Sequence, residues 1–155
     1  MATLREAVEE LLERDGWVFA PVEGQPSTLA MGYKGENGTW SCYAHVDDDR
    51  GALVFYSVTD RPVPEISRAA MADFLTRANF GLVLGNFELD LTDGETRFKT
   101  SVEIGDAEPS PALLRSIVYA NIAAMERYLP GIDDVLRGSH TPEEAIAECE
   151  QGMPH

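Results

Sequence analysis

The chain opens on apolar residues at helical spacing. Leu4, Val8, Leu11 and Leu12 recur up to Gly16, and Thr3-Leu4-Arg5-Glu6 matches a capping box, which predicts an amphipathic first helix. Trp17 to Phe19 read as a short strand, followed by a loop rich in glycine and proline (Pro21, Gly24, Pro26). The period then falls to two. Asn37-Gly38 is a strong two-residue hairpin signal, because both central residues of a type I′ turn need positive φ. Centring the turn there pairs Trp40 with Gly35, Cys42 with Tyr33, Ala44 with Met31 and Val46 with Leu29, all on one face. The other face carries Lys34, Glu36, Thr39, Ser41, Tyr43 and His45. The segment from Asp47 to Gly51 then turns the chain into a strand from Leu53 to Val58.

Pro62 and Pro64 end that run and open a second helix to about Asn79, with Ile66, Ala70, Phe74 and Ala78 four apart and Met71 and Leu75 widening the stripe. A turn centred on Asp93-Gly94 pairs Leu89 with Phe98, Phe87 with Thr100 and Val83 with Ile104 on one face. On the other it pairs Asp90 with Arg97 and Glu88 with Lys99, opposite charges that favour the register. Ser110-Pro111 is a cap followed by proline at the first helical position. The third helix runs from Pro111 towards Leu129 and stops at Pro130-Gly131. Leu114, Ile117, Val118, Met125, Tyr128 and Leu129 face inward, with Asn121 in their midst. After Gly138, Thr141-Pro142 caps a short helix whose end, Glu150 to His155, reads as frayed.

The fold expected is α+β, in the order α-β-β-β-α-β-β-α: an antiparallel sheet of about five strands with helices packed on one side. Residues 1–138 make one domain, and 139–155 a short C-terminal helix and tail. At 155 residues the chain is long enough for a core without disulfide or metal. Cys42, on an inward strand face, behaves as a small hydrophobe, and Cys149 sits in a polar tail.

Charge narrows the function classes. Twelve Lys and Arg against 27 Asp and Glu give −15, a surface that repels phosphate backbones and anionic lipid. Nucleic acid and membrane are therefore not the expected partners, whereas a basic or amphipathic protein or peptide is permitted. No apolar stretch approaches the length of a membrane span, and the charged N-terminal segment lacks the apolar core of a secretory signal, so a cytoplasmic setting is expected.

Candidate chemistry is sparse. No GxSxG elbow is present, and His45, His140 and His155 lack partners placed by the local pattern. His45 with Asp47, Asp48 and Asp49 is the best hard-cation cluster and would centre a metal-dependent enzyme, yet adjacent acids in a turn read more simply as solvated turn formers. Gly81-x-x-x-Gly85 lacks the ending of a phosphate cradle, and Gly85 reads as a bulge or close approach. Asn79, Asn86 and Asn121 are the polar positions that call for a binding or structural role, since a buried amide needs partners. No catalytic residue, cofactor or bound metal is expected.

The second half resembles a known family. Asn79-Phe80-Gly81 with Gly85-Asn86-Phe87-Glu88-Leu89-Asp90, then Asp93-Gly94-Glu95 and Arg97-Phe98-Lys99, look like the central signature of the YbjN family, bacterial proteins described as regulators of sensory transduction. Tyr128-Leu129-Pro130, Gly138 and Pro142-Glu143-Glu144-Ala145-Ile146 are similar to that family's ending. The resemblance implies a fold like that of type III secretion chaperones, which are small, acidic, often dimeric proteins that bind extended segments. It therefore implies a non-catalytic, chaperone-like protein binder, with a homodimer left open.

Overall fold

The computed structural model describes residues 2–151, so His155 and the end of the frayed tail lie outside the described residues. In chain order the elements are α1 (Leu4–Arg14), β1 (Phe19–Val22), β2 (Gln25–Lys34), β3 (Thr39–Asp47), β4 (Ala52–Val58), a 3-10 turn (Glu65–Ser67), α2 (Arg68–Asn79), β5 (Asn86–Leu89), β6 (Thr96–Glu103), α3 (Pro111–Arg137) and α4 (Pro142–Cys149). The strands form one antiparallel sheet in the order β1-β2-β3-β4-β6-β5. There are six strands rather than five. The first does not run from Trp17 to Phe19 but starts at Phe19, takes in Pro21, and turns straight into β2 through Glu23 and Gly24.

All helices lie on one face. Leu29, Met31, Trp40, Cys42, Ala44, Leu53, Phe55 and Phe98 of the sheet are buried against Val8 and Leu12 of α1, Phe74 of α2, and Leu114, Met125 and Tyr128 of α3. Thr3 closes the expected capping box with Glu6, and Thr141 closes a second one with Glu144 on α4. α4 is part of this core, since Ala145 and Ile146 are buried and Cys149 is half-buried rather than in a polar tail. Ile66 does not join the inward stripe of the second helix. It sits in the 3-10 turn, 93% exposed.

Both hairpins keep the expected faces but pair two residues out of the expected register. Tyr33 pairs with Trp40, Met31 with Cys42 and Leu29 with Ala44, so four residues, Gly35 to Gly38, make the connection. Among the described residues only glycine takes a positive φ, so Asn37 does not form a type I′ turn. Its side chain is committed elsewhere: Nδ2 donates to the Glu126 carbonyl at 2.8 Å, and its backbone N–H donates to Glu126 Oε1 at 2.5 Å.

That contact also explains why α3 runs through Pro130 and stops only at Gly138, in the left-handed conformation at φ 71°. A proline inside a helix strips the carbonyl four residues back of its donor, and here the carbonyl is that of Glu126. Asn37 supplies the missing donor. Gly131 then lets α2 and α4 close in, because a Cβ there would stand 2.5 Å from Phe74 Cζ and 2.7 Å from Cys149 Sγ.

In the second hairpin Phe87 pairs with Phe98, Glu88 with Arg97 and Leu89 with Thr96. The connection from Asp90 to Glu95 is held from outside: Val63 donates its N–H to the Gly94 carbonyl at 2.9 Å, and Arg68 donates to the carbonyls of Leu91 and Thr92. Asp90 spends its carboxylate on the Thr92 N–H instead of Arg97, and Val83 lies outside the sheet, fully exposed. Gly85 is a close approach, as read from sequence, for a Cβ there would meet the Lys99 carbonyl at 2.6 Å.

Candidate binding face

The side of the sheet away from the helices is open. Its centre is β4, whose outward residues Ala52, Val54, Tyr56 and Val58 are all apolar or aromatic and only half-exposed. Leu53 and Phe55, facing the other way, are fully buried. A strand that is apolar on both sides is the pattern of a strand covered on both sides. Tyr43 of β3 stands opposite Tyr56 and extends the stripe, with Ala30 of β2 beyond it. The face curves into a shallow concavity of about 500 Å³ lined by Thr28, Tyr43, His45, Tyr56, Val58 and Arg97, among others.

Polar residues rim the stripe. The Arg97 guanidinium lies over the Tyr56 ring, 4.3 Å from its centroid, and donates to Glu88 at 2.8 Å. Lys99 donates to the other Glu88 oxygen at 3.0 Å, so Glu88 serves both cations. Burial pushes the Glu88 carboxyl up, but the hydrogen bonds from Lys99 and Arg97 outweigh it and hold it below its ordinary value. His45 Nδ1 and the Thr28 hydroxyl lie 3.0 Å apart.

The outward ladder positions carry three cations (Lys34, Arg97, Lys99) and three acids (Asp47, Glu88, Glu103), whose charges cancel, and Glu95 adds an acid at the rim beside Arg97. The other nine cations and 24 acids, and hence the whole −15, belong to the helices, the loops and the tail. The charge read from composition is real, but apart from Glu95 it lies away from the concavity.

The polar positions singled out in the sequence have structural partners. Asn121 is fully buried, and its Nδ2 donates to the carbonyls of Phe55 at 2.9 Å and Phe98 at 3.0 Å, clamping β4 and β6 to α3, while its Oδ1 is without a partner. Asn79 accepts from the Phe87 N–H at 2.6 Å and donates to the Phe87 carbonyl at 3.2 Å; Asn86 Nδ2 donates to that same carbonyl at 3.3 Å. His45 is not gathered with the Asp47–Asp49 carboxylates. Asp47 caps the Arg50 N–H of its own turn, and Asp48 accepts from the Arg5 N–H at the start of α1.

The described residues that do converge as metal ligands would are Asp134, His140 and Glu148, with ligand atoms within 4.8 Å of one another. Their geometry is that of a strap between α3 and α4. The His140 ring has Glu148 at 3.1 Å from Nε2 and the Ser139 hydroxyl at 2.9 Å from Nδ1, while Arg137 holds Asp134. His140 is thus half-buried, not a free turn residue. The outer stripe on β4 was the feature missed from sequence. Its signal was the near-continuous apolar reading of Ala52 to Val58, in which Ser57 is the one break and no polar alternation runs.

A six-stranded antiparallel sheet with all helices on one face and an apolar stripe on the other places the chain in the α+β class. The chain belongs to the YbjN family: the family's profile, described as "Putative bacterial sensory transduction regulator", matches residues 4–134. That description is regulatory and names no reaction. The fold is similar to the crystal structure of YbjN, a "putative transcription regulator from E. coli", with a TM-score of 0.61 at 12% identity over 87% of this chain and 90% of that one. A search of curated proteins finds no match. Among the described residues, no helix is long and apolar enough to cross a membrane.

Proposed function

We propose that this chain is a non-catalytic regulatory protein of the cytoplasm that captures a segment of another protein across the open face of its sheet, in the manner of a chaperone. The observation that carries this reading is β4, apolar on both sides yet covered on only one. Half-exposed Val54, Tyr56 and Val58 with Tyr43 form a contiguous apolar strip in a polar rim, the anatomy of a protein-binding surface. The charge balance of the ladder positions supports a partner segment of little charge. An apolar, weakly charged segment suits the face, whereas a basic segment would be drawn to the acidic helical side, and a nucleic acid finds no basic patch on the face.

The test is a pull-down from the native cell extract with the wild-type chain and a Val54→Lys/Tyr56→Glu variant, at low and high salt, with light scattering on both proteins. A specific partner lost in the variant and indifferent to salt is the expected result, since apolar burial is not screened. A partner captured equally by both proteins, or captured only at low salt, would overturn the assignment to this face. A mass of two chains that becomes one in the variant would replace the foreign segment by a second copy.

A further inference from the structure

A sheet offers partners its face and its two edges, and here each edge is obstructed by a separate device. Ladder geometry identifies the open backbone groups. Asp90 donates its N–H to the Glu95 carbonyl at 2.9 Å, so Asp90, Glu88 and Asn86 direct their backbone groups towards β6. Phe87 and Leu89, in between, direct theirs outward along the β5 edge. At Phe87 both outward groups are taken by one side chain, with Asn79 Oδ1 accepting from the N–H and Nδ2 donating to the carbonyl. A primary amide presents an acceptor and a donor side by side, as a strand does at one hydrogen-bonded rung. Asn79 is the last residue of α2, which packs against β5, so the helix end occupies the place a seventh strand would take.

We infer that Asn79 seals the β5 edge against strand addition. The edge would otherwise be an apolar target, since Phe80 and Val83 are about nine-tenths or more exposed beyond one end and Leu91 is two-thirds exposed beyond the other. The opposite edge is blunted differently. Gly35 donates to the Gly38 carbonyl, which directs the odd-numbered residues of β2 towards β3 and leaves Phe19 and Pro21 of β1 facing outward. Proline has no N–H to offer, and the ladder is irregular just after it. With the β5 edge sealed at Phe87 and the β1 edge blunted at Pro21, a partner reaches the sheet by lying across its face. That consequence rests on the proposed function, whereas the seal does not.

Hydrogen exchange on the wild-type chain reads the seal directly. The Phe87 amide is expected to exchange at least about 100-fold more slowly than the outward-facing Leu89 amide, because only the former is bonded. In an Asn79→Ala variant the two should come within about threefold, and sedimentation should show association that grows with concentration. Equal exchange of the two amides in the wild type overturns the seal, whether or not the variant folds. So does a folded variant that sediments as the wild type does at every concentration. Neither measurement depends on Val54 or Tyr56, so the seal can fail while capture on the face stands, and the reverse.

Discussion

Asn121 tests how the core tolerates a buried polar group, because its amide has one satisfied end and one orphaned end. Nδ2 meets Phe55 O, Phe98 O and Thr100 Oγ1 at 2.9, 3.0 and 3.2 Å, and Oδ1 meets nothing polar in a site with no solvent exposure. Phe55 and Phe98 sit in the ladder between β4 and β6, where the Thr59 N–H to Thr96 carbonyl bond sets the parity that gives each of these carbonyls a backbone donor as well. Asn121→Leu therefore orphans no carbonyl. It forfeits what the two amide N–H groups donate among those three acceptors, about 1 kcal/mol for each N–H, removes the unpaired Oδ1 and adds buried apolar surface, so the net change should lie within about 1 kcal/mol. Asn121→Asp is nearly the same shape with opposite consequences. It sets a carboxylate oxygen against two carbonyl oxygens, and the charge must be buried unpaired or neutralised, at a cost of about 3–5 kcal/mol.

At this chain length a kcal/mol moves the melting midpoint by about 3 °C, so the aspartate variant should melt ~10 °C lower at pH 7. Its carboxyl would be raised by burial, so the deficit is present above the raised folded pKa and shrinks as the pH falls through it. Thermal unfolding followed by circular dichroism at pH 7 and pH 5 makes the comparison. If the leucine variant loses as much as the aspartate variant, or the aspartate deficit ignores pH, the account of Asn121 as a one-ended donor clamp is wrong.

Burial pushes the Cys42 thiol up to about 11 and raises Cys149 as well, so a colorimetric thiol reagent at pH 7.5 should label both cysteines slowly in the folded chain and both at once in denaturant; prompt labelling of Cys42 in the native state would contradict its burial on the inward face of β3. Burial also raises the Asp133 carboxyl above its ordinary value, with Arg61 only partly offsetting it. An acid whose folded pKa is raised gains relative stability as the pH falls through that value, so at pH 7 its charge is a net cost. Asp133→Asn should melt slightly above the wild type at pH 7, by a difference that closes on titration towards pH 4. A variant that melts lower at pH 7 would show that the pairing with Arg61 outweighs burial.

The elements themselves were legible because their causes are local. A capping box, a proline after a serine and an apolar stripe of period 3.6 act within a few residues, and α1, the start of α3 and α4 follow from them. The assignment of strand faces survived even where the register did not. Both hairpins slipped by two residues, and with a side-chain period of two such a slip returns every residue to its own face. The candidate site was less legible: Asn79 and Asn121 were noticed as amides in need of partners, but which carbonyls they would meet depends on strands 8 to 66 residues away.

What tertiary structure decided were the points at which a distant group changes the energy of a local choice. Asn37-Gly38 would turn tightly by itself, but Asn37 instead meets the Glu126 carbonyl that Pro130 leaves bare, and one contact both lengthens the loop and lets α3 pass through its proline. The openness of β4 belongs to the same class. Its outward residues are all apolar or aromatic and its inward ones mostly so, and only the packing of every helix on one face decides which side stays open.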